Sequence, residues 1–583
     1  MCGIAGTFGD PDRALVERMI RRITHRGPDG QGVAVVGHAA LGSARLSLVD
    51  FEGGAQPAAG PGGLTLVYNG EVYNHAELRG ELERAGVAMR GRGDTEVVRR
   101  LLELRGEGGL EALEGMFALA ASDGERLLLA RDAFGIKPLF YALVDGGRRL
   151  IFASELKALL EDPALPRAID RASLVEWATF RHMLGERTLL RGISQVPPGG
   201  ILEVTRGAEG VLHLRAGRHS QARPVELPER EEDLVDLLCE RLSASVRAQS
   251  IADHPVGAFL SGGLDSAVLV ALMARGRTEP LHTFSIGDDP ASADLDVGRR
   301  LAACLGVEHH EIALDPAALV EALPMSIWAL EAPTEPSIVE SAAPSIRRHV
   351  KAALCGDGAD ELFAGYAVHV TPSLWLASSV DRYNRLVQSG EVRVSDCAAS
   401  KAVIGRMIGL DPGALRSAVH RFFLEGQLSD AHLLVWDRGA MASSLEVRVP
   451  YLDRRVRDLA LALPWEHRVR GKTSKALLRQ VARRVLPDAI AAEIVGRRKL
   501  AAPSAVRRTM DAIEQVARTI VPPNRPAHPL RGFCATPGQE LLLDLFTLIF
   551  VGRGGAAPDG LNLRELYTTH REELEAALAL AAA

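Results

Sequence analysis

Cysteine is scarce in this chain of 583 residues. Its six copies (Cys2, Cys239, Cys304, Cys355, Cys397 and Cys534) are scattered, with no Cys-x-x-Cys pair. Such spacing argues against a disulfide framework and against zinc. An excess of positive charge is also missing: the formal net charge is −6, so nucleic acid is not an expected partner. No run of ~18 apolar residues offers a membrane span. The opening Met-Cys-Gly-Ile-Ala-Gly lacks the basic flank and long apolar core of a signal peptide, which points to a cytoplasmic protein. What remains is ordinary for a water-soluble globular chain, with 47% hydrophobic and 24% charged residues. The length is too great for a single core, so several domain-sized units are expected.

The most informative stretch is Val256-Gly-Ala-Phe-Leu-Ser-Gly-Gly-Leu-Asp-Ser-Ala-Val-Leu-Val270. A short apolar run to Leu260 predicts a buried parallel strand, and Leu264 to about Arg275 predicts a helix. Between them, Ser261-Gly262-Gly263 bring the free N–H groups of a helix N-terminus to a place a phosphate can approach. The pattern is not a Walker loop, because no Gly-Lys-Ser/Thr follows. Instead Asp265 falls in the first helical turn, where a carboxylate beside phosphates suits Mg²⁺. A second stretch, Val350-Lys-Ala-Ala-Leu-Cys-Gly-Asp-Gly-Ala-Asp-Glu-Leu-Phe-Ala-Gly-Tyr366, repeats the plan of an apolar strand and a Gly-rich loop with carboxylates. In a doubly wound sheet the two loops would face one crevice, where Asp265 and Asp360 could share a metal. Ser-Gly-Gly-Leu-Asp-Ser resembles the pyrophosphate-binding loop of ATP pyrophosphatases.

Cys2 dominates the N-terminal third. Loss of Met1 before so small a residue leaves a cysteine with a free α-amine, whose pKa of about 7.7–8.0 suits a base at neutral pH. One residue then supplies nucleophile and base. Further along come the turn-rich His25-Arg-Gly-Pro-Asp-Gly30 and the strand-like Leu41-Gly-Ser-Ala-Arg-Leu-Ser-Leu-Val-Asp50. Next are Leu66-Val-Tyr-Asn-Gly-Glu-Val-Tyr-Asn74 and Gly93-Asp-Thr-Glu-Val97, the latter opening a helix with an acidic cap. Arg131 to Tyr141 and Phe152 to Lys157 complete the series. In this order the stretches resemble the class II glutamine amidotransferase domain, an N-terminal-nucleophile glutaminase. Together with the two downstream loops, the whole chain resembles the glutamine-dependent asparagine synthetase family.

The resemblance implies an α/β protein of two domains. The first, over 1–210, would be an αββα glutaminase sandwich; a linker would cover 211–230, and a doubly wound parallel ATP-pyrophosphatase domain with added helices would cover 231–583. Cys2 would attack glutamine, with the Asn69 side chain and the Gly70 N–H as oxyanion hole. Arg45 would pair with the glutamine carboxylate, Leu46, Ser47, Leu48 and Val49 would line the pocket, and Glu71 with Asp94 would hold the ammonium. ATP would lie against Leu260, Ser261, Gly262, Gly263, Asp265, Ser266, Ile286, Cys355, Gly356 and Lys475, with Mg²⁺ on Asp265 and Asp360. Asp357 would assist formation of the adenylate, and Lys475 the departure of pyrophosphate. The implied substrates are L-glutamine, ATP and L-aspartate or another carboxylic acid, with ammonia passing through an internal tunnel. Relatives are often dimers, although no stretch here identifies a homodimer interface.

Three features depart from the family pattern or invite another reading. Asp357 stands where some members carry Glu. Glu340, in Glu331-Ala-Pro-Thr-Glu-Pro-Ser-Ile-Val-Glu-Ser341, would repel a dianionic acceptor. The late loop Arg497-Arg-Lys-Leu-Ala-Ala-Pro503 is shorter than the usual run and lacks its Phe. These leave open an amidotransferase acting on another acid, an adenylating cyclase or a non-catalytic binder; intact Cys2, Asn69-Gly70 and Asp94 argue against the cyclase, and intact Asp265, Asp360 and Lys475 against the binder. Glu308-His-His-Glu311 puts adjacent histidines on opposite faces of a strand, a poor chelate, so a structural role is expected.

Overall fold

The computed structural model describes residues 2–51, 53–390, 392–497, 504–522 and 530–582. Residues up to 218 build two six-stranded antiparallel sheets. The first has the order β10-β8-β9-β1-β3-β2, from β1 (Cys2–Phe8), β2 (Gly30–Val36), β3 (Ala39–Arg45), β8 (Phe140–Val144), β9 (Arg149–Ala153) and β10 (Ser194–Gln195). The second has the order β12-β11-β7-β6-β5-β4, from β4 (Ala58–Ala59), β5 (Thr65–Val72), β6 (Gly115–Ser122), β7 (Arg126–Arg131), β11 (Gly200–Arg206) and β12 (Leu212–Arg218). Ile4, Phe8, Leu41, Val67, Ala118 and Leu129 fill the gap between the sheets. Helix α1 (Arg13–Arg22) lies over β1 and β3, while α2 (His75–Arg84) and α3 (Asp94–Arg105) pack with β5 through Leu78, Leu82, Val97 and Leu101. This is the αββα sandwich. Strand β12 falls inside the stretch expected as linker and pairs along β11 from Leu212 to Arg218, leaving 219–230 as the connecting segment.

The remainder is built on a parallel sheet of order β15-β14-β13-β16-β17. Its strands are β13 (Val256–Phe259), β14 (His282–Gly287), β15 (Glu308–Ala313), β16 (Ala352–Leu354) and β17 (Glu446–Arg448). The order runs outward from β13 in both directions, so the crevice between the ends of β13 and β16 is the switch point where such sheets bind ligands. Small residues allow the central strands to pack closely: Gly257, Ala258, Ala352 and Ala353 are buried. Helices α4 (Glu231–Gln249), α5 (Leu264–Ala274) and α10 (Ala476–Val485) pack together. Helix α6 (Ala293–Leu305) lies over β14 and β15 and against α5, while α7 (Leu323–Leu330), α8 (Ile338–Arg347) and α9 (Leu434–Met441) form a second group. Among the described residues no helix is long and apolar enough to cross a membrane.

The two domains meet through a shared apolar core and a buried ion network. Leu46, Leu48, Met116, Phe134 and Ile136 of the sandwich pack into the same cluster as Leu354 and Val447 of the parallel sheet and Val449 just after it. Beside it, Asp437 of α9 receives Arg26 Nη2 at 2.7 Å and Lys137 Nζ at 3.2 Å. Glu155 accepts from Arg26 at 2.8 Å and from Lys157 at 2.6 Å. Glu331, just after α7, takes Lys157 at 3.2 Å and Arg438 at 2.8 Å, and its carboxylate also receives the backbone N–H groups of Leu156 and Lys157. Burial raises the pKa of a lone carboxyl, but Lys157, His25 and Arg26 together hold Glu155 well below the usual range. Removing one partner from such a network strands a charge in low dielectric. Asp437→Ala, which strips Lys137 of its carboxylate and leaves Arg26 with Glu155 alone, is expected to lower stability by about 3–5 kcal/mol in chemical unfolding; a loss below ~1 kcal/mol would contradict a role for this network in holding the domains together.

Candidate active sites

Strand alternation assembles the first site. In β1, Cys2, Ile4 and Phe8 share one face; in β5, Val67, Asn69 and Glu71 do. Ile4, Phe8 and Val67 lie in the inter-sheet core, so Cys2 and Asn69, both buried, enter the same gap. The backbone N–H of Cys2 donates to Asn69 Oδ1 at 3.1 Å. Asn69 Nδ2 is buried with no hydrogen-bond partner. Tyr68 N–H donates to Gln56 Oε1 at 2.7 Å and Val72 N–H to Asp94 Oδ2 at 2.9 Å, both on the edge of β5 away from β6. Alternation aims the Gly70 N–H at that same edge, between them. Gln56 Nε2 lies 3.8 Å from Cys2 Sγ, which places the thiol at this edge too. Burial pushes the Cys2 thiol up from its ordinary value.

The expected glutamine contacts surround this gap in a mixed state. Arg45 pairs with Cys2 across β1 and β3, but its guanidinium donates to the carbonyls of Phe51 at 2.7 Å and Asp50 at 2.6 Å. Leu46, Ser47, Leu48 and Val49 follow as a loop rather than continuing the strand. Asp94 begins α3 but does not cap it; its carboxylate is taken by Tyr68 Oη at 2.8 Å and by Val72 N–H. Burial, then the neighbouring Asp94, push Glu71 well above the carboxylate range. Two carboxylates crowded in this way suit an ammonium group. Sequence reasoning missed Gln56, which carries no pattern, and Asp253. The latter ties the pocket loop to the segment before β13, since Asp50 N–H donates to its Oδ2 at 3.0 Å and its own N–H to Leu48 O at 2.9 Å.

The second site lies at the switch point. Ser261 Oγ and Ser266 Oγ stand 3.0 Å apart and close the loop after β13. Gly262 has φ +72°, and a Cβ there would come within 2.2 Å of Asp294 O, so the turn needs glycine. Gly356, after β16, lies against Asp265, which brings the two predicted loops together. Lys475 Nζ sits between two carboxylates, 2.5 Å from Asp265 Oδ2 and 2.6 Å from Asp360 Oδ1. It does so from the left-handed region (φ +56°) at the N-cap of α10; the helix begins after it, and a short hairpin pairing Val469 with Ser474 precedes it. A Cβ on Gly365 would meet both Asp360 and Lys475. Asp265 Oδ1 is buried without a partner. Two carboxylates with an unused oxygen fit a hard divalent cation. Cys355 Sγ donates to Asp357 Oδ2 at 3.1 Å, and Ile286 is the next-to-last residue of β14. Leu260 N–H donates to Phe284 O at 2.8 Å, fixing the end of β13.

Glu340 lies in the first turn of α8. Its Oε1 accepts from Ser326 of α7 at 2.9 Å, Oε2 is buried without a partner, and burial pushes its pKa up to about 7. The carboxyl thus carries a fractional charge near neutrality. Most of the late loop, 498–503, lies outside the described residues. An unfolded glutamate loses its proton near pH ~4.3, the folded one only near 7, so native stability falls as pH climbs through that window. Glu340→Gln is expected to gain up to about 3 kcal/mol at about pH 8 and nothing at about pH 4. Equal gains at both pH values would show that the buried carboxyl does not titrate this way.

The family model described as asparagine synthase matches residues 237–536, and that described as a glutamine amidotransferase domain matches residues 1–213. Asparagine synthetase [glutamine-hydrolyzing] 1 of Bacillus subtilis is 31% identical, covering 87% of this chain and 87% of its own. Asparagine synthetase [glutamine-hydrolyzing] 3 of the same organism is 30% identical over 84% of this chain and 85% of its own. Asparagine synthetase B of Escherichia coli is 28% identical over 84% and 80%. The chain belongs to the glutamine-hydrolysing asparagine synthetase family, ATP-dependent ligases that use glutamine.

Proposed function

We propose that this enzyme makes an amide from a carboxylic acid, L-aspartate in the leading reading, with ATP as activator and glutamine as nitrogen donor. The observation that carries the first half is Asn69. Its oxygen orients the Cys2 nitrogen while its buried Nδ2 has no partner, a donor preorganised for an oxyanion. With Met1 removed, that nitrogen is an α-amine able to take the proton of Sγ. Sγ then attacks the glutamine amide carbon. Asn69 Nδ2 and the Gly70 N–H receive the oxyanion, and ammonia leaves with the transferred proton. Water hydrolyses the γ-glutamyl thioester to glutamate and restores Cys2. Arg45 and the Leu46–Val49 loop bind the glutamine carboxylate end, and Glu71 with Asp94 hold its ammonium. Arg45 must first give up its loop carbonyls.

In the second half the acceptor carboxylate attacks the α-phosphorus of ATP, pyrophosphate leaves, and ammonia displaces AMP from the acyl carbon. Asp265 and Asp360 would hold Mg²⁺, which when bound offsets the charge of the triphosphate. Lys475 neutralises the departing pyrophosphate, and Asp357 assists attack by the acceptor. Ser261, Gly262, Gly263, Ser266, Cys355 and Gly356 cradle the phosphates, with Leu260 and Ile286 towards the base. The apolar boundary of Leu46, Leu48, Met116, Phe134, Ile136, Val447 and Val449 supports a dry route for ammonia between the sites. The second reading, another carboxylic acid, rests on Glu340. Its bond to Ser326 and partial neutrality weaken the repulsion that motivated it.

The deciding assay is pyrophosphate release from MgATP with glutamine, with and without L-aspartate and then with other acids. Release that requires aspartate and yields asparagine supports the leading reading; silence with aspartate but response to another acid replaces the acceptor. Cys2→Ala should abolish glutamine use while ammonia-dependent synthesis survives, and loss of both would contradict separate sites. Asn69→Ala should lower glutaminase kcat by about 10²–10³. Asp265→Asn should stop pyrophosphate release while glutamine hydrolysis continues; retained release would remove Asp265 from the phosphate site.

A further inference from the structure

Three histidines distant in sequence meet near the ends of the parallel strands opposite the ATP crevice. Strands β14 and β15 pair with His282 opposite Glu308 and Phe284 opposite His310. Alternation therefore puts His282 and His310 on one face as diagonal neighbours. His349, in the turn between α8 and β16, comes down onto the same face. The ring centroids of His310 and His349 are 4.1 Å apart, those of His282 and His310 5.3 Å, and those of His282 and His349 5.6 Å. One ring nitrogen of each lies within 4.8 Å of the others. His282 Nδ1 and His310 Nε2 are already 3.1 Å apart. With metal–nitrogen bonds of about 2.0–2.1 Å, the ligand–ligand edge of a tetrahedral site is about 3.4 Å.

We propose that His282, His310 and His349 form a binding site for a borderline divalent transition-metal ion, of which Zn²⁺ is the representative. Imidazole is the natural ligand for this class. A fourth position falls to water or to Glu308, whose Oε2 is 3.2 Å from His282 Nδ1. Phe284 forms the floor, stacked on His310 at 5.2 Å, while the exposed His349 leaves the site open to solvent. The neighbouring His309 points through the sheet to the other face, where its Nδ1 meets Thr283 Oγ1 at 2.9 Å. The expectation that the adjacent pair cannot chelate thus holds for the pair itself, while one member finds partners from two other segments. The absence of Cys-x-x-Cys had no bearing on this all-histidine set.

Such an ion would pin β14 and β15 to the turn leading into β16. It would act on the fold rather than on the adenylation chemistry, which sits at the other ends of these strands. The test uses tag-free full-length chain, stripped with chelator and kept in excess Mg²⁺ so that the carboxylates of the crevice are occupied. Zn²⁺ is added, and the metal retained through gel filtration is counted. The wild type is expected to retain one equivalent more than His310→Gln and more than His349→Gln, and to show a Zn²⁺-dependent rise in Tm that both variants lose. His309→Gln, on the opposite face, is expected to keep both. Because His349 is exposed, that variant remains informative if His310→Gln fails to fold. No retained equivalent in the wild type, or the same retention in His349→Gln, would overturn the proposal; so would equal loss in His309→Gln.

Discussion

Asp437 holds two cations from another domain. Arg26 and Lys137 reach it from parts of the chain 411 and 300 residues away, and all three side chains are buried. Buried charges of this kind cost several kcal/mol each to desolvate and are tolerated only when the whole set is paired. The set extends through Glu155 and Lys157 to Glu331 and Arg438, so neither domain can satisfy its own charges alone. Arg26 also reaches the first site: its Nε donates to the carbonyl of Cys2 at 3.3 Å. A side chain that anchors the domain boundary thereby also holds Cys2, the proposed nucleophile. The interface and this candidate site are one construction.

A second link runs through the pocket loop. Leu48 and Asp50 are hydrogen-bonded to Asp253, which precedes β13, and β13 leads directly into the Ser261–Gly263 loop. On the other side Arg448, at the end of β17, pairs with Glu446 at 2.5 Å and lies 3.8 Å from Glu71. The segments proposed to bind glutamine and ATP are therefore two or three contacts apart across a largely apolar boundary. Both sites also keep polar groups in costly states: the unpartnered amide of Asn69, the unused oxygen of Asp265 and the left-handed Lys475. Such costs are tolerated where ligands complete the arrangement.

Much of this was legible in the sequence because the chemistry sits on short, local patterns. A strand, a glycine turn and a helix can be read from adjacent residues, so β13, its loop and α5 were placed within a residue or two; Cys2 and Asp265 stood out in such stretches, while the role proposed for Asn69 came with the family resemblance. What escaped depends on distance or on competition for partners. Gln56, Asp253 and the Asp437 network join segments with no shared pattern. Asp94 looked like a helix cap but is drawn to Tyr68 and Val72, and Lys475 caps α10 in a left-handed turn that no propensity predicts. The histidine trio is the clearest case: adjacency suggested a poor chelate, and only the register of β14 with β15 reveals the cluster.

The central claim is that both sites work as one body, with ammonia passing across the boundary beside Asp437 without entering water. The direct measurement supplies glutamine labelled with heavy nitrogen in its amide, in the presence of excess unlabelled ammonium, using whichever acid supports pyrophosphate release. Full retention of the label in the amide product is predicted. Dilution of the label in proportion to the external ammonium would show that the nitrogen leaves the protein between the two reactions, and would contradict the account.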